Sequence, residues 1–571
     1  MQSIKTFSCL ILIVLINIVF TWYQNQAQDA GPDVPSGKLR SLSFAPYHDG
    51  FSPNVGKFPL PEHVDADLGT VADKTYTIRT YSVGGGMQPT PEFARKHGVD
   101  MIMGGWLGDG HKENKLEIAA LIQAANQNQD VVKRVIVGNE VLLRKDMDID
   151  TLIGYIRQVK QAIVQPVTFA DVWSSYIQYP QLFNEVDFIT IHILPYWEDE
   201  PVAIEQAIAH VEKIVKQIED KAHSMGVNKP ILIGESGWPA VGRQRGSAVP
   251  SVVNETRFIR NLIQAANRHG FDYNIVEAFN QPWKSNNEGV VGANWGLLNI
   301  DREPVFPLTG PVFENPNWHL ELLWSVMILL IATIIFFKSL KTMSLTKILA
   351  FLTLAQLFSI CLITMTDLLW HTSYNLWQQM YCVLIVSSNV LLSSLLLQRY
   401  SDLFNNRPTA EILAKILRIS YLLFAGLALF KTYHLALNAR YLSFESEQFA
   451  IPVLGILSFI LYSALEQKTL NWKAISLPKI TGCNLQINWE HYFSYLLTYG
   501  IPAIVIGECY IFMSGYDFKQ THPDLLQGIP IAMSYSFENQ QLLCWLFYIL
   551  ILTIPFWHRP TESLLSKHSQ R

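Results

Sequence analysis

Two runs of β-forming residues in this chain each stop abruptly at a glutamate. One spans 135–140 and reads Val-Ile-Val-Gly-Asn-Glu, and the other spans 231–239 and reads Ile-Leu-Ile-Gly-Glu-Ser-Gly-Trp-Pro. Parallel barrels carry the residues of their functional sites at the carboxyl ends of buried strands. A strand that stops at a glycine and a carboxylate is typical of that position. The two runs therefore predict a parallel α/β barrel.

The spacing of the two glutamates agrees with this prediction. Glu140 and Glu235 are 95 residues apart, and a strand–helix unit takes roughly 30 residues in a barrel of about 250 residues. Three units therefore separate them, which puts them on strands n and n+3, where they can face each other across the barrel mouth. Two facing carboxylates suggest an acid and a nucleophile for the cleavage of a glycosidic bond.

The surrounding sequence supplies eight candidate strands, read from runs of β-branched and aromatic residues. Helical stretches with an apolar period of 3.6 residues lie between most of them, as at 114–128 and 254–269. By this count Glu140 ends strand four and Glu235 ends strand seven. The alternative is an α/β domain whose strands happen to end in acids. The candidate strands are 41–47, 75–83, 100–107, 133–142, 166–173, 187–197, 230–238 and 273–283.

At this point the residues resemble glycoside hydrolase family 17, the β-1,3-glucanases of a large clan of retaining (β/α)8 hydrolases. The segments at 137–140 and 234–239 match the two catalytic signatures of that family. The resemblance covers roughly residues 38–310. Three flanking segments resemble further family motifs, namely Arg79-Thr80-Tyr81, Pro195-Tyr196-Trp197 and Asn294-Trp295-Gly296-Leu297.

The resemblance implies a role for each matching residue. Glu140 would be the general acid/base and Glu235 the nucleophile. Asn139 would hydrogen-bond the 2-hydroxyl of the sugar, Tyr196 would hold the nucleophile, and the positive charge of Arg79 would keep Glu235 ionised. A retaining mechanism places the two carboxyl groups about 5–5.5 Å apart. The remaining candidate substrate-binding residues are Tyr81, Trp238, Trp283 and Lys284.

Strand eight departs from the family pattern. Family members often carry Phe-Asp-Glu before the lysine that corresponds to Lys284, whereas this chain has the amides Asn280 and Gln281. Glu277 is either a compensating acid or a satisfied structural one. The change affects the expected specificity of the sugar subsites rather than the basic reaction.

Tryptophans recur at the predicted strand ends. Their rings suit the apolar face of a glucose unit, and they equally suit core packing, because aromatic side chains bury large areas. We favour a sugar-binding role for Trp283. The five residues are Trp106, Trp173, Trp197, Trp238 and Trp283.

The rest of the chain reads as membrane helices. Hydrophobic residues make up 49% of the chain and charged residues only 16%, and the apolar residues are concentrated in spans of about 20, the length that crosses a bilayer. Eight spans are predicted, at 6–22, 320–337, 345–365, 380–397, 412–433, 449–465, 492–513 and 542–556.

The fold class is therefore α/β, a (β/α)8 TIM barrel followed by an all-α transmembrane helix bundle. The predicted domains are an N-terminal transmembrane anchor or signal at 1–24, a glycoside hydrolase barrel at 25–317, and a membrane domain of about seven helices at 318–571. An uncleaved anchor is favoured, because the charged region before the first span holds only Lys5 and the residues at 26–28 make a poor cleavage site.

Lysine and arginine residues predict the orientation, since they concentrate in cytoplasmic loops. They cluster after every second span, whereas the alternate loops hold only Arg440 and Lys519. Both termini are thus predicted to be cytoplasmic and the barrel extracytoplasmic. The cytoplasmic set is Lys338, Lys341, Lys347, Arg399, Arg407, Lys468, Lys473, Lys479, Arg559, Lys567 and Arg571, with His558 beside it.

Partners and cofactors follow from the remaining composition. A net charge of −5 gives no electrostatic case for nucleic acid, and no Cys/His spacing indicates a metal site, so neither a metal nor a cofactor is expected. None of the six cysteines lies in the predicted barrel. That lack and the many spans favour a bacterial inner membrane, with the barrel on the periplasmic face.

The bundle contains ionisable residues that are functional candidates by default, Lys431, His434 and Glu508. The simpler interpretation is an anchor with a few buried polar pairs. The other is a conduit or docking site for a glucan or its synthase. Expected partners are thus a β-glucan, membrane lipid and, as a further candidate, a glucan synthase.

The sequence predicts a membrane-anchored retaining β-1,3-glucan hydrolase of the glucan endo-1,3-β-glucosidase type. One alternative is a glucanosyltransferase that remodels or branches periplasmic glucan, in which a sugar hydroxyl replaces water as the attacking group. The other is a non-catalytic glucan-binding membrane sensor. The presence of both Glu140 and Glu235 counts against the sensor.

Overall fold

The computed structural model describes residues 2–469, 472, 475–485 and 489–557. Residues Ala27–Glu314 form one compact unit, and the helices before and after them in the sequence form a second. Helix α1 (Gln2–Gln24) opens the chain and belongs to the second unit.

The first unit is built on a closed barrel of eight parallel strands in the order β1 to β8, with β8 pairing back onto β1. The predicted barrel is thereby confirmed, with each strand beginning within two residues of its predicted start and ending before its predicted end. The strands are β1 (Leu39–Ser43), β2 (Thr75–Arg79), β3 (Asp100–Gly105), β4 (Val132–Asn139), β5 (Val167–Val172), β6 (Ile189–His192), β7 (Ile231–Ser236) and β8 (Asp272–Ile275).

Helices connect the strands and cover the outside of the barrel. Residues of one parity along a strand, such as Val135 and Val137, pack against these helices. The intervening residues form a separate inner cluster, as alternation along a strand requires, and its members are Ile102, Ile136, Ala170, Phe188 and Leu232. The helices are α2 (Pro61–Val71), α3 (Thr90–His97), α4 (His111–Gln127), α5 (Ile149–Ala162), α6 (Trp173–Gln178), α7 (Leu182–Glu185), α8 (Ile204–Ser224), α9 (Val252–His269) and α10 (Ser285–Gly292).

Three strands lose their regular register near their carboxyl ends. The pairing shifts between Ile136 and Asn139 on β4, and at the step from Ile191 to His192 on β6. On β7 it shifts between Ile233 and Ser236. Such irregularities redirect side chains next to active sites, and here they surround the two glutamates.

The second unit is a helical bundle. Besides α1, its helices are α11 (Trp318–Leu340), α12 (Leu345–His371), α13 (Leu376–Phe404), α14 (Glu411–Leu437), α15 (Ala450–Gln467), α16 (Leu477–Thr481), α17 (Tyr492–Ser514), α18 (Tyr516–Thr521), α19 (Leu525–Glu538) and α20 (Gln540–Thr553). In the described part of the chain, seven helices are long and apolar enough to cross a membrane: α1, α11 to α14, α17, and α15 together with the short turn Ser446–Phe449 before it.

The predicted eighth span differs from the other seven. Helix α20 has 14 residues, about 21 Å at 1.5 Å per residue, which is shorter than the roughly 30 Å bilayer core. It reaches span length only together with α19, from which it is bent by 79°. The segment between the seventh and eighth predicted spans, expected to be an outer loop, is partly helical. It contains α19, whose N-cap residue Asp524 accepts a hydrogen bond from the backbone of Leu526. Of the charges used for orientation, Lys473, His558, Arg559, Lys567 and Arg571 lie outside the described residues.

Two ion pairs join helices of the bundle to its loops. Arg418 on α14 binds both carboxylate oxygens of Glu490, at 2.9 and 2.6 Å, and both side chains are at least nine-tenths buried. Lys431, also on α14, pairs with Glu445. Lys431, predicted above to be a functional candidate, thus has a half-buried partner of opposite charge.

Candidate active site

The turn after β4 carries Glu140 out of the barrel wall. Gly138 has a φ of 82° and Glu140 a φ of 52°, so the chain takes the left-handed region twice within three residues. Glycine adopts that conformation freely, whereas a glutamate is uncommon there. The backbone N–H of Glu140 donates to the carbonyl of Ala170 on β5, at 2.8 Å, which fixes the start of the turn.

Glu235 lies within β7, and Arg79 at the end of β2 reaches it across the mouth. Nη1 of Arg79 lies 3.1 Å from Oε1 of Glu235 and also donates to the carbonyl of Gly234, at 2.6 Å. Its Nη2 donates to Oδ1 of Asn139, at 2.5 Å. One buried guanidinium thus fixes the predicted nucleophile and the residue before the predicted acid. The amide nitrogen of Asn139 keeps its hydrogens for another acceptor.

His192, the last residue of β6, lies between the two glutamates. Its Nδ1 is 2.9 Å from Oε1 of Glu140, and its Nε2 is 3.8 Å from Oε1 of Glu235. Residue 234 is glycine, where an added Cβ would lie 2.6 Å from Cγ2 of Thr190 and 3.2 Å from the imidazole of His192. His192 is not among the site residues that the sequence motifs predicted. The signal that could have found it is the register, which pairs His192 with Glu235.

Glu235 is largely buried, yet the site favours its ionised form. Burial alone would raise the pKa of this carboxyl. The positive charges of His192, Arg79 and Lys284 and a hydrogen bond from Tyr81 together hold the pKa of Glu235 below its usual range. A depressed pKa suits a group that must attack as a carboxylate.

Tyr81 therefore makes the contact that was predicted for Tyr196. The Tyr81 hydroxyl is 2.9 Å from Oγ of Ser43 and interacts with Glu235. The Tyr196 hydroxyl is fully buried and donates to the carbonyl of Arg243, and the role predicted for it beside Glu235 stays a prediction. Strand β6 ends four residues earlier, at His192, which turns the Tyr196 side chain into the core.

Trp238 was wrongly predicted to bind sugar. It is 0% exposed, its Nε1 donates to the carbonyl of Val249 at 2.9 Å, and its ring packs against Phe258 and Tyr196. A ring with no open face cannot stack on a substrate. Core packing, the other interpretation given to these tryptophans, describes Trp238.

Asp171, at the end of β5, holds the segment that follows Glu140. Its Oδ2 accepts from the backbone N–H groups of Leu142 and Leu143, at 3.0 and 3.4 Å, and its Oδ1 accepts from Ser175, at 3.0 Å. Burial, and secondarily the charge of Glu140, raise the pKa of Asp171 to about 6. Nothing in the sequence pattern pointed to this residue.

Strand β8 leads into a cluster of charges around Lys284. Nζ of Lys284 donates to Oε2 of Glu277, at 2.8 Å, and the Glu277 side chain is almost fully buried. Glu277 is therefore the acid partner of this lysine. Glu288 on α10 lies close enough that the charge of Lys284 opposes the effect of burial, which raises the pKa of Glu288.

The two amides are used internally. Asn280 donates to Oδ1 of Asn294, at 3.1 Å, and accepts from the backbone of Gly296, at 2.9 Å. Gln281 donates to the carbonyl of Ala45 and accepts from Nε1 of Trp283, each at 2.7 Å. They brace the β8 loop rather than offer free groups at the mouth. Trp283 keeps a half-exposed ring, edge-on to Tyr47, as its predicted role requires.

Taken together, the two predicted catalytic glutamates and one histidine form a compact cluster. One ligand atom from each of Glu140, His192 and Glu235 lies within 4.8 Å of the others, so the two carboxylates approach each other closely, as those of a retaining glycosidase do. Among the described residues, these three side chains also form a group with donor atoms suited to a metal ion. Arg79 and Lys284 in the same site oppose a cation, and the expectation of a metal-free site stays a prediction.

Residues 41–296 match the family model of the BtgE/BtgC glycoside hydrolase domain. The barrel is a family 17 glycoside hydrolase domain. The resemblance seen in the sequence motifs is thereby confirmed, and the match includes both predicted catalytic glutamates.

Individual proteins are similar to this domain. A glucan 1,3-β-glucosidase of Arthroderma benhamiae is 29% identical over 284 residues, which cover 46% of this chain and 91% of that protein. The "Probable beta-glucosidase btgE" of Aspergillus flavus is 26% identical over 281 residues, covering 47% of this chain but only 44% of that protein. A solved family 17 β-1,3-glucanosyltransferase of Rhizomucor miehei is 27% identical, covers 47% of this chain and 96% of that one, and gives a TM-score of 0.41.

Proposed function

We propose that this protein is a membrane-anchored, retaining β-1,3-glucan hydrolase whose barrel lies outside the cytoplasmic membrane. The observation that carries the proposal is the pairing of Glu140 and Glu235 at the mouth of a family 17 barrel, with ligand atoms within 4.8 Å. The name of the Arthroderma relative supports the 1,3-linkage.

The proposed mechanism is a double displacement. Glu140 donates a proton to the glycosidic oxygen while Oε of Glu235 bonds to the anomeric carbon and the leaving sugar departs. Glu140 then takes a proton from water, whose oxygen displaces Glu235 from the same carbon. Arg79, His192 and Tyr81 support the first step, because they favour the ionised form of Glu235. Asn139 is in place to donate to the 2-hydroxyl.

A transfer reaction shares the first step and is the second candidate. The hydroxyl of a second glucan then replaces water, and a longer glucan leaves. We infer that a membrane location favours this outcome, since an enzyme held beside nascent glucan meets a high local concentration of acceptor. A non-catalytic sensor is the least supported candidate, because it gives no reason for a nucleophile with a lowered pKa.

Product analysis of the full chain in detergent tests the proposal. A β-1,3-glucan oligomer of one length is incubated with the protein, and all products are separated by size. Shorter products from the β-1,3 oligomer, and none from a β-1,4 oligomer of the same length, are expected. Release of glucose alone would indicate attack at a chain end, and a spread of sizes would indicate internal cleavage. No cleavage of any β-1,3 oligomer would leave the sensor.

The proposed orientation has a separate test. The apolar helices are consistent with spans in number and length, and their flanking charges favour cytoplasmic ends after α11 and α13. A cysteine introduced at Ser36 in the barrel should react with a membrane-impermeant maleimide in intact spheroplasts. A cysteine introduced at Thr342, between α11 and α12, should react only after permeabilisation. The reverse pattern would invert the proposed topology.

A further inference from the structure

Trp106 at the mouth of the barrel plays no part in the acid–base cluster. It directly follows β3, and 44% of its surface is exposed. Within residues 27–314, all of which the structure describes, it is the most exposed tryptophan. An exposed large aromatic ring beside a catalytic centre calls for an explanation, because its apolar surface is not used by the core.

The ring is held firmly on one side. The guanidinium carbon of Arg144 lies 4.4 Å from the ring centroid. Arg144 is itself fixed, because Nη1 donates to the carbonyl of Asn139 at 2.5 Å and Nη2 to that of Leu107 at 2.9 Å. Its Nε donates to Asp146, at 2.8 Å. The arginine thus covers one face of Trp106 and ties the ring to the segment that carries Glu140. With 44% of the residue exposed, the side of the ring away from Arg144 is the one that a ligand could cover.

Strand register places this ring on the acid side of the cleft. Gly105 of β3 pairs with Val137 of β4, so Trp106 stands level with Gly138, two residues before Glu140. Neighbouring strands are about 4.8 Å apart. In a double displacement the acid protonates the leaving oxygen, so the leaving sugar lies on the Glu140 side. An incoming acceptor sugar takes the same place in the second step.

We propose that Trp106, backed by Arg144, is the stacking platform for the sugar on the leaving-group side of the site. The apolar face of a glucopyranose unit would lie on the open face of the ring. Sugar sites combine aromatic surface with a few placed polar groups in this way. The assignment rests on the proposed glucanase function and adds the residue that selects leaving and acceptor sugars.

The platform acts in transfer as well as in cleavage. In the transfer step the acceptor hydroxyl oxygen bonds to the anomeric carbon, the bond from that carbon to Glu235 breaks, and the hydroxyl proton passes to the Glu140 carboxylate. Water needs no platform for the same step. Loss of the ring should therefore reduce transfer more than hydrolysis.

The test compares Trp106→Ala and Trp106→Phe with Tyr76→Ala in the full chain. Tyr76 is a matched control, because it is 53% exposed and has Lys38 over its ring at 5.2 Å but lies at the amino end of β2. Two substrates are used, a single-length β-1,3-glucan oligomer and laminaribiosyl fluoride. The fluoride leaving group is too small to need a platform.

Trp106→Ala should raise KM for the oligomer roughly five- to tenfold and lower the share of longer products by a similar factor, as the loss of an aromatic contact predicts. Its turnover of the fluoride should stay within about twofold of wild type, because this leaving group does not contact the ring. Trp106→Phe should keep most of the oligomer binding, and Tyr76→Ala should match wild type on both substrates.

Two results would overturn the platform. One is an unchanged KM and product distribution for Trp106→Ala on the oligomer. The other is an equal loss on the oligomer and the fluoride, which would indicate general damage to the site. If the wild-type protein turns over neither substrate, the proposed function itself fails, and this outcome is distinguishable from the other two.

Discussion

Nδ1 of His192 lies 2.9 Å from Oε1 of Glu140. The same ring turns its other nitrogen towards Glu235, so a single buried imidazole separates the two carboxylates. Without it, two carboxylates at this distance would repel each other, and the pKa of one would rise. The histidine thus helps to keep Glu235 ionised, which the nucleophile of a double displacement requires.

Replacing His192 should move the pH dependence of activity. Its charge is the first of the effects that oppose burial and lower the pKa of Glu235. In His192→Gln the pKa of Glu235 should rise, so the nucleophile becomes protonated at higher pH. The acidic limb of the kcat/KM profile, which reports the free enzyme, should therefore shift to higher pH. His210→Gln is the control, since His210 faces Glu198 instead. An unmoved limb, or one at lower pH, contradicts the role given to His192.

The nucleophile assignment predicts a large loss of activity in Glu235→Gln. The amide cannot form the covalent intermediate, so activity should fall at least a hundredfold, the typical minimum for such a group. Glu62→Gln, at an exposed position on α2, should keep wild-type activity. On heating, both variants should aggregate at the same midpoint temperature as the wild-type protein, which would show that they are folded. Residual activity above about a hundredth of wild type would show that Glu235 is not the nucleophile.

Stereochemistry gives an independent check on the carboxyl separation. Carboxyl groups this close leave no room for a water molecule between them and the sugar, so two inversions are expected. The first-formed product should be the β-anomer, seen by proton NMR before mutarotation. An initial α-anomer would rule out the retaining mechanism whatever the effect of Glu235→Gln.

Much of this architecture could be predicted from the sequence, and the failures have physical causes. Glu140, Glu235 and Arg79 lie where their motifs indicated, because each comes at the carboxyl end of a buried strand. Trp238 and Tyr196 belong to equally clear motifs, but both side chains turn into the core just beyond their strands. A motif specifies identity and spacing, whereas the direction of a side chain after a strand depends on packing.

His192 and Asp171 show the opposite limitation. Each ends an apolar strand and is indistinguishable in sequence from a satisfied core residue. Their importance comes from neighbours in space, Glu235 across the register and Leu142 in the turn after Glu140. Such neighbours become evident only once the strands are aligned. In the bundle, the bend between α19 and α20 could not be predicted, because a hydropathy profile gives the length of an apolar segment but not the direction of its helix.

A buried acid away from the site predicts a pH-dependent stability. Glu255 on α9 is 0% exposed, and neither of its carboxylate oxygens has a hydrogen-bond partner among the described residues. Burial, with the charge of Glu314, raises the pKa of Glu255 well above its usual range. The folded state therefore binds this proton more tightly than the unfolded state. Stability should fall as pH rises from about 4.3, the unfolded pKa, towards the folded pKa.

Glu255→Gln removes this dependence. The variant should match wild type near pH 4 and exceed it at pH 8, with a difference of about 1.4 kcal/mol for each pH unit that separates the two pKa values. Midpoints of thermal inactivation at the two pH values measure the effect. Glu62→Gln should show no such pH-dependent gain. A Glu255→Gln protein that is less stable than wild type at pH 8 would mean that the carboxylate is ionised and paired.

The last prediction concerns the relocated acid of strand β8. Nζ of Lys284 and Oε2 of Glu277 are 2.8 Å apart, with only 2% of the Glu277 side chain exposed. Lys284→Met would leave Glu277 buried without its counter-charge, a change that typically costs about 3–5 kcal/mol. Glu277→Gln should cost less, because Glu288 still lies near the lysine.

If Glu277 replaces the acids lost at 280 and 281, the double variant Glu277→Gln/Lys284→Met should be more stable than the sum of the single losses implies. We expect a coupling energy of at least about 1 kcal/mol between the two residues, as is usual for charged groups in contact. Thermal inactivation of the four proteins gives the cycle.

Because Lys284 also lowers the pKa of Glu235, Lys284→Met should in addition shift the acidic limb of kcat/KM to higher pH. Glu277→Gln, which keeps the lysine, should not produce that shift. Additive stabilities would indicate that Glu277 is satisfied elsewhere and that the amides of β8 have no charge substitute.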